Sequence, residues 1–417
     1  MTLRESKDAF ARGASAQALL DKALEQIEAD RAFGAWAFVD EHSARRAAAA
    51  LDEARARGEA AGPLAGVFVG VKDNIHVQGM PTACGLAVAA PPAERDAPVV
   101  ARLRQAGAII LGKTSMPECA LGVTPGAKNP LDPARTPGSS SSGSAIAVAR
   151  GHVGLALGTQ TNASLIRPAS FCGIAAWKPT YDAAALDGLV RLCPSLDVPG
   201  WMTARVDDLR LLPGCPVPAE ADPAEACPPM AWVWPLGGVP DTAVRQAFDA
   251  LRTSLGLEER ALPDAAENSV EWLDTIMNRE LADNAAGFFA HGLTPQPPLR
   301  AALEQGAAVL PAVFAQARRA AGALYDAVAK RLAPGSVLVS PAARECAPLL
   351  QDGAGSPLCS TLWSLCGMPC LTLPAFWLHG MPVGIQLVAR RNEDGVLLRA
   401  ATALAPQLEA RQPAPQR

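Results

Sequence analysis

The stretch Leu64-Ala-Gly-Val-Phe-Val-Gly-Val71 constrains the fold more than any other part of the chain. It follows Gly62-Pro63, ends in Lys72-Asp73-Asn74, and is continuously apolar where a half-exposed strand would alternate. As a strand it must therefore be covered on both faces. A second apolar run, Ala108-Ile-Ile-Leu-Gly112, follows a helical stretch at 97–107 and ends in Lys113-Thr114. Doubly covered strands with a helix between them predict an α/β architecture, a mainly parallel or mixed sheet with helices on both faces.

The 417 residues could hold two or three domains or one continuous core. Helical periodicity at 14–31 and 41–58 predicts a leading helical pair, within 1–62. Further helical stretches are predicted near 241–256, 266–288 and 298–332. Strand-like runs return at 336–340 and 370–373, so the helices between read as an insertion into one domain. The expected division is a core at 63–213, a variable helical insertion at 214–335 and a returning core segment at 336–417. Eight prolines at 213–240 predict an excursion across the surface.

Composition excludes several functions. A hydrophobic fraction of 49% rules out a disordered chain. Lys and Arg number 37 against 41 Asp and Glu, and no segment concentrates the basic residues, which argues against nucleic acid or a membrane surface as partner. The first 30 residues carry Arg4, Glu5, Lys7, Asp8 and Arg12 and no apolar leader, and the longest apolar runs fall short of the roughly 20 residues of a spanning helix. The expectation is a cytoplasmic protein. Ten cysteines without a CxxC pair predict buried, reduced thiols, and His42, His76, His152, His291 and His379 are scattered singly, so no metal is expected.

Two serine-bearing blocks stand out. Pro137-Gly-Ser-Ser-Ser-Ser-Gly-Ser144 runs into an apolar helix expected from Ala145, and reads either as a flexible linker or as a loop feeding a helix start. Gly158-Thr-Gln-Thr-Asn-Ala-Ser164 follows a short apolar run and precedes Arg167-Pro168. It reads as a strand-to-helix turn with Ser164 as cap, or as a site. Lys72, at the end of a buried strand, reads as a solvated surface charge, as half of an ion pair with the adjacent Asp73, or as an amine that burial holds neutral.

Taken together, these blocks resemble the amidase signature family, whose members hydrolyse amides with a Ser, cis-Ser, Lys triad. The resemblance rests on Gly70-Val-Lys-Asp-Asn74, Gly112-Lys-Thr114, Thr136 to Ser144, Gly158-Thr-Gln-Thr161 with Ser164, Arg167-Pro168 and Lys178-Pro-Thr180. It continues in Pro194-Ser-Leu-Asp197, Gly367-Met-Pro369 and Gly380-Met-Pro-Val-Gly-Ile-Gln386. It implies a single α/β/α domain around a large mixed sheet, with the helices near 240–332 shaping substrate access. It also implies that Ser164 is the nucleophile, Ser140 the bridging serine after a cis peptide bond, and Lys72 the general base. Ser140 is preferred to Ser139 or Ser141 because it lies 24 positions before Ser164, the family's spacing.

By the same resemblance, backbone N–H groups from Thr161, Asn162 and Ala163 to Ser164 form the oxyanion hole, and no metal or organic cofactor is needed. Asp73, Asn74, Thr159 and Asp197 fall in matching motifs and are expected to orient the triad. Most members of the family carry one or two glycines immediately before the nucleophile, where this chain has Asn162 and Ala163. Alanine costs roughly 1–2 kcal/mol in a left-handed conformation, so the oxyanion loop is expected to be the weak point. Arg167 lies three residues after the nucleophile, as in the short malonamidase-like and carboxybiuret-hydrolase-like bacterial members, where it can grip a substrate carboxylate; a structural ion pair is the other reading.

The resulting expectation is an amidohydrolase that cleaves a small, carboxylate-bearing amide through a serine acyl-enzyme. The alternatives are the glutaminase-type subunit of an amidotransferase, or a degenerate, non-catalytic protein serving in binding or assembly. A homodimer or a small companion subunit is left open.

Overall fold

The computed structural model describes residues 1–88, 90–217, 227–289 and 293–409. The strands are β1 (Trp36–Val39), β2 (Phe68–Lys72), β3 (Ile109–Thr114), β4 (Leu155–Gln160), β5 (Ala175–Lys178), β6 (Val198–Thr203), β7 (Met230–Trp232), β8 (Val337–Pro341), β9 (Cys370–Leu378) and β10 (Met381–Val388). They form one sheet in the order β1-β3-β2-β4-β6-β5-β9-β10-β8-β7. β2 runs parallel to β3 and β4, and β7 parallel to β8. All other neighbours are antiparallel. This is the mixed sheet that the doubly apolar strands required.

Twelve helices flank it among the described residues: α1 (Leu3–Ala11), α2 (Ala16–Ala29), α3 (Glu41–Ala56), α4 (Pro98–Gln105), α5 (Ser142–Ala149), α6 (Ile166–Cys172), α7 (Thr242–Ser254), α8 (Ser269–Phe289), α9 (Pro297–Ala308), α10 (Pro311–Arg331), α11 (Leu358–Leu365) and α12 (Asp394–Glu409). Successive side chains of a strand face opposite ways, and both ways are occupied. Val69, Val71, Ile110, Leu155 and Leu157 pack with Leu103 of α4, Phe248 of α7 and Leu397 of α12. Phe68, Ile109, Leu111 and Ala156 pack on the other face with Leu20 of α2, Ala44 of α3, Ile146 of α5 and Ala169 of α6. Burying one such Val, Leu or Phe contributes about 1.5–3 kcal/mol, which is why a polar residue within these runs would be costly.

Several local expectations are corrected. The helix predicted over 298–332 is two helices, α9 and α10, because Pro311 opens the second and lacks the N–H that a continuous helix needs there. α5 begins at Ser142, three residues before the apolar run. The stretch 214–335 also supplies the edge strand β7, joined to β8. Seven of the cysteines are buried free thiols, but Cys215 and Cys346 are half-buried and Cys227 is exposed. His291 and positions 218–226 of the proline-rich stretch lie outside the described residues. Among the described residues, no helix is long and apolar enough to cross a membrane, and no three His, Cys, Asp or Glu side chains cluster as metal ligands.

Candidate active site

Lys72 is the last residue of β2 and is fully buried. Its Nζ donates to Ser140 Oγ at 2.7 Å and to Thr159 Oγ1 at 2.9 Å. The Ser139–Ser140 peptide bond is cis. The serine block is no linker: Ser139 to Ser144 includes no exposed residue, and its hydroxyls are tied to the frame. Ser139 Oγ donates to Gly122 O, Ser141 Oγ to Thr159 O, Ser142 Oγ to Gly138 O and Ser144 Oγ to Leu157 O, at 2.6, 3.1, 2.7 and 2.8 Å. The block can lie this close to β4 because Gly158 has no side chain; a Cβ there would stand 2.8 Å from Ser141 Oγ.

Electrostatics at Lys72 follow from what does not reach it. The alternative reading, an ion pair of Lys72 with Asp73, is not formed, because Asp73 lies 3.3 Å from the buried Lys113 Nζ and accepts from the Ala83 and Gly85 N–H groups. The hydrogen-bond partners of the Lys72 amine are hydroxyls and a carbonyl. Burial pushes this amine down to about 7, while Cys84 and Asp197 act weakly in the opposite sense. A neutral amine in this position can take a proton from Ser140.

Ser164 lies between β4 and α6, and faces a cavity of about 250 Å³. Among the described residues no hydrogen bond joins its hydroxyl to Ser140. The two serine segments are instead joined through the backbone, the Ser141 N–H donating to Ser164 O at 3.2 Å. Ser164 is not the helix cap. Gln160 Oε1 takes that place, accepting the Leu165 and Ile166 N–H groups at 2.9 and 3.0 Å. The N–H groups of Thr161, Asn162, Ala163 and Ser164 find no acceptor among the described residues, so they are available to a developing oxyanion.

The strain expected at Asn162 and Ala163 is absent, since neither has a positive φ. The loop is shaped from outside. Ser364 Oγ of α11 donates to Asn162 O at 2.5 Å and accepts from Gln160 Nε2 at 3.0 Å, while Thr361 Oγ1 donates to Asn162 Oδ1 at 2.9 Å. Thr161 Oγ1 donates to Asp197 Oδ1 at 2.6 Å, and the Cys193 N–H donates to Asp197 Oδ2 at 2.8 Å. Burial raises the Asp197 carboxyl to about 6, with these two donors acting against it.

Arg167 lines the same cavity as Ser164. The structural ion pair is not formed. Its guanidinium donates to the carbonyls of Ser139, at 2.9 Å, and Gly355, its Nε has no partner, and among the described residues no carboxylate lies within ion-pair range. Burial lowers it to about 10, which leaves it charged at neutral pH. Asp274, Met277 and Leu281 of α8 form part of the opposite wall.

The family model of the amidases matches residues 18–229. Curated relatives include a glutamyl-tRNA(Gln) amidotransferase subunit of Moorella thermoacetica, 33% identical over 85% of each chain. The chain belongs to the amidase family. The like-named protein of Prochlorococcus marinus is 32% identical over 93% of each chain. Among solved structures, one described as an amidase superposes with a TM-score of 0.87 at 34% identity, covering 99% of this chain and 100% of the other. A second, of a vestigial protein complex bearing on the origins of an s-triazine catabolic enzyme, gives 0.88 at 28% identity over 98% of each chain.

Sequence reasoning about this amidase missed Gln160, Thr361 and Ser364. Gln160 stands inside the quoted Gly158-Thr-Gln-Thr161 motif and could have been singled out as a polar residue ending a buried strand. Thr361 and Ser364 lie about 200 residues from their partners and carry no spacing signal.

Proposed function

We propose that this amidase-family hydrolase cleaves a small amide by acylating Ser164, with Ser140 as proton bridge and Lys72 as general base. The observation that carries the reading is the buried, carboxylate-free Lys72 amine 2.7 Å from Ser140 Oγ. Ser164 Oγ attacks the amide carbon as its proton passes to Ser140 and a Ser140 proton passes to Lys72. The carbonyl oxygen becomes an anion facing the unpartnered N–H groups of 161–164. Such a donor is worth about 10²- to 10³-fold in rate. The C–N bond then breaks as the nitrogen takes the proton back along the relay, and water cleaves the ester by the same path.

Arg167 favours an amide that also carries a carboxylate, as a buried cation with no ion-pair partner among the described residues, Asp274 standing on the opposite wall of the cavity. The relatives named as amidotransferase subunits, and the relative solved in a complex, favour a second reading in which the same chemistry is performed beside a companion subunit. The degenerate reading loses its motive, since the loop carrying Asn162 and Ala163 is unstrained.

The test is labelling of the full chain with a fluorophosphonate, followed by an ammonia-release screen over malonamate, carboxybiuret, glutamine and neutral aryl amides. Stoichiometric modification at Ser164, lost in Ser164→Ala, is expected. A folded protein that neither labels nor releases ammonia from any of them overturns the reading.

A further inference from the structure

We infer that a second cavity, separate from the one at Ser164, binds a small oxyanion presented by a carboxylate or phosphate group. Its volume is about 260 Å³, close to that of the first. The segment 192–196 divides the two: Leu192 and Cys193 line the first, Ser195 and Leu196 the second. The second is walled by Arg318 of α10 and by Arg391, with Tyr181, Ser195 and Gly367 beside them, and no carboxylate lines it among the described residues.

The charge of the lining is unbalanced. Arg391 donates from Nε to Cys366 O at 2.6 Å and lies over the Tyr325 ring, 3.9 Å from its centroid. No carboxylate stands within ion-pair range of it among the described residues. The ring contact and the carbonyl fix the plane of the guanidinium before anything binds. Arg318 donates to Ser195 Oγ and is 3.5 Å from Glu280 Oε1. That carboxylate already accepts the Ser195 hydroxyl and, at 2.9 Å, the Ser195 N–H. Asp394, near Arg391 in sequence, is engaged by Trp177 Nε1, at 3.2 Å, and by Thr180 through its N–H and hydroxyl, at 3.0 and 2.6 Å. Two guanidiniums, that of Arg318 half exposed, thus face one open pocket with a single, heavily shared carboxylate behind it. Paired N–H donors on a fixed plane match the two oxygens of a carboxylate or two of a phosphate.

The binding can be read without any activity, so it stands or falls apart from the reaction proposed at Ser164. The full chain is titrated calorimetrically at low ionic strength with inorganic phosphate and, separately, with succinate, and each variant's thermal unfolding is checked. Expected is saturable binding of at least one probe that is weakened at least tenfold by Arg391→Gln and by Arg318→Gln. Arg391→Lys, which keeps the charge but not the fork, should fall between. Which probe binds identifies the source of the oxyanion. Absence of saturable binding for both probes overturns the inference, as does binding that Arg167→Gln abolishes and Arg391→Gln leaves intact, because the anion then sits beside Ser164.

Discussion

Asp73 stands 3.3 Å from Lys113 Nζ, and that pairing sets the chemistry of its chain neighbour Lys72. Two buried lysines at the ends of adjacent parallel strands share one carboxylate, and Lys113 takes it, together with Pro81 O and Thr82 Oγ1, both at 2.9 Å. Lys72 is left as a buried amine among hydroxyls, pushed down to about 7 by the loss of water. A base must be neutral to accept a proton, so activity should rise with pH through about 7 and level off above it. The kcat/KM profile checks this; a flat profile between pH 6 and 8 counts against Lys72 as base.

The same burial carries a stability consequence. The folded amine binds its proton more weakly than the unfolded one at 10.5, so between about 7 and 10.5 the unfolded state holds more protons and stability rises with pH. Lys72→Met should remove that slope and raise thermal stability at pH 7, while lowering kcat by about 10³-fold or more. Lys113→Met acts oppositely on stability. It strands the buried Asp73 and should cost about 3–5 kcal/mol in denaturant unfolding.

How far the chain announced all this differs between sheet and site. β2 and β3 were legible because strands buried on both faces must be apolar throughout, as Val69, Val71 and Ile110 on one side and Phe68 and Leu111 on the other are. The short β5 and β7 were not, since strands of four and three residues give no period to read. Lys72, Ser140 and Ser164 stood in recognisable motifs. The choice of Lys113 as Asp73's partner did not, because adjacent lysines and carboxylates look alike until the twist of β2 and β3 decides which amine reaches which oxygen.

Asp197 is expected to act through Thr161. It receives the Thr161 hydroxyl and the Cys193 N–H on separate oxygens, and an amide in its place offers one acceptor and a donor aimed at a donor. Asp197→Asn should loosen the loop that presents the 161–164 N–H groups, lowering kcat about tenfold with little change in KM. An equal change in KM and none in kcat would place Asp197 in ground-state binding.

Arg167, with its unpaired Nε and its place in the cavity wall, is expected to separate amides by charge. Arg167→Ala should lower kcat/KM for a carboxylate-bearing amide about 10²-fold and leave neutral amides within a few-fold. Because the guanidinium also holds the carbonyls of Ser139 and Gly355, Arg167→Lys is the necessary partner variant. It preserves charge but not the fork, and should recover part of the discrimination. Equal losses on acidic and neutral amides would assign Arg167 to holding the serine block alone.

Asn162 and Ala163 immediately precede the proposed nucleophile, Ser164. Were Asn162 and Ala163 held in a left-handed conformation, replacing them with glycine would relieve strain and raise activity. Their φ values are negative, and the loop is pinned through Asn162 by Thr361 and Ser364 and through Gln160 by the first N–H groups of α6. Asn162→Gly with Ala163→Gly therefore removes no strain, loses the Thr361 bond and adds backbone freedom to the unfolded chain. Stability should fall by roughly 1–2 kcal/mol, and amide turnover should stay level or decline. The measurement is paired denaturant unfolding and ammonia release on both proteins. A glycine pair that gained turnover would mean that the loop works in a conformation other than the one these bonds hold.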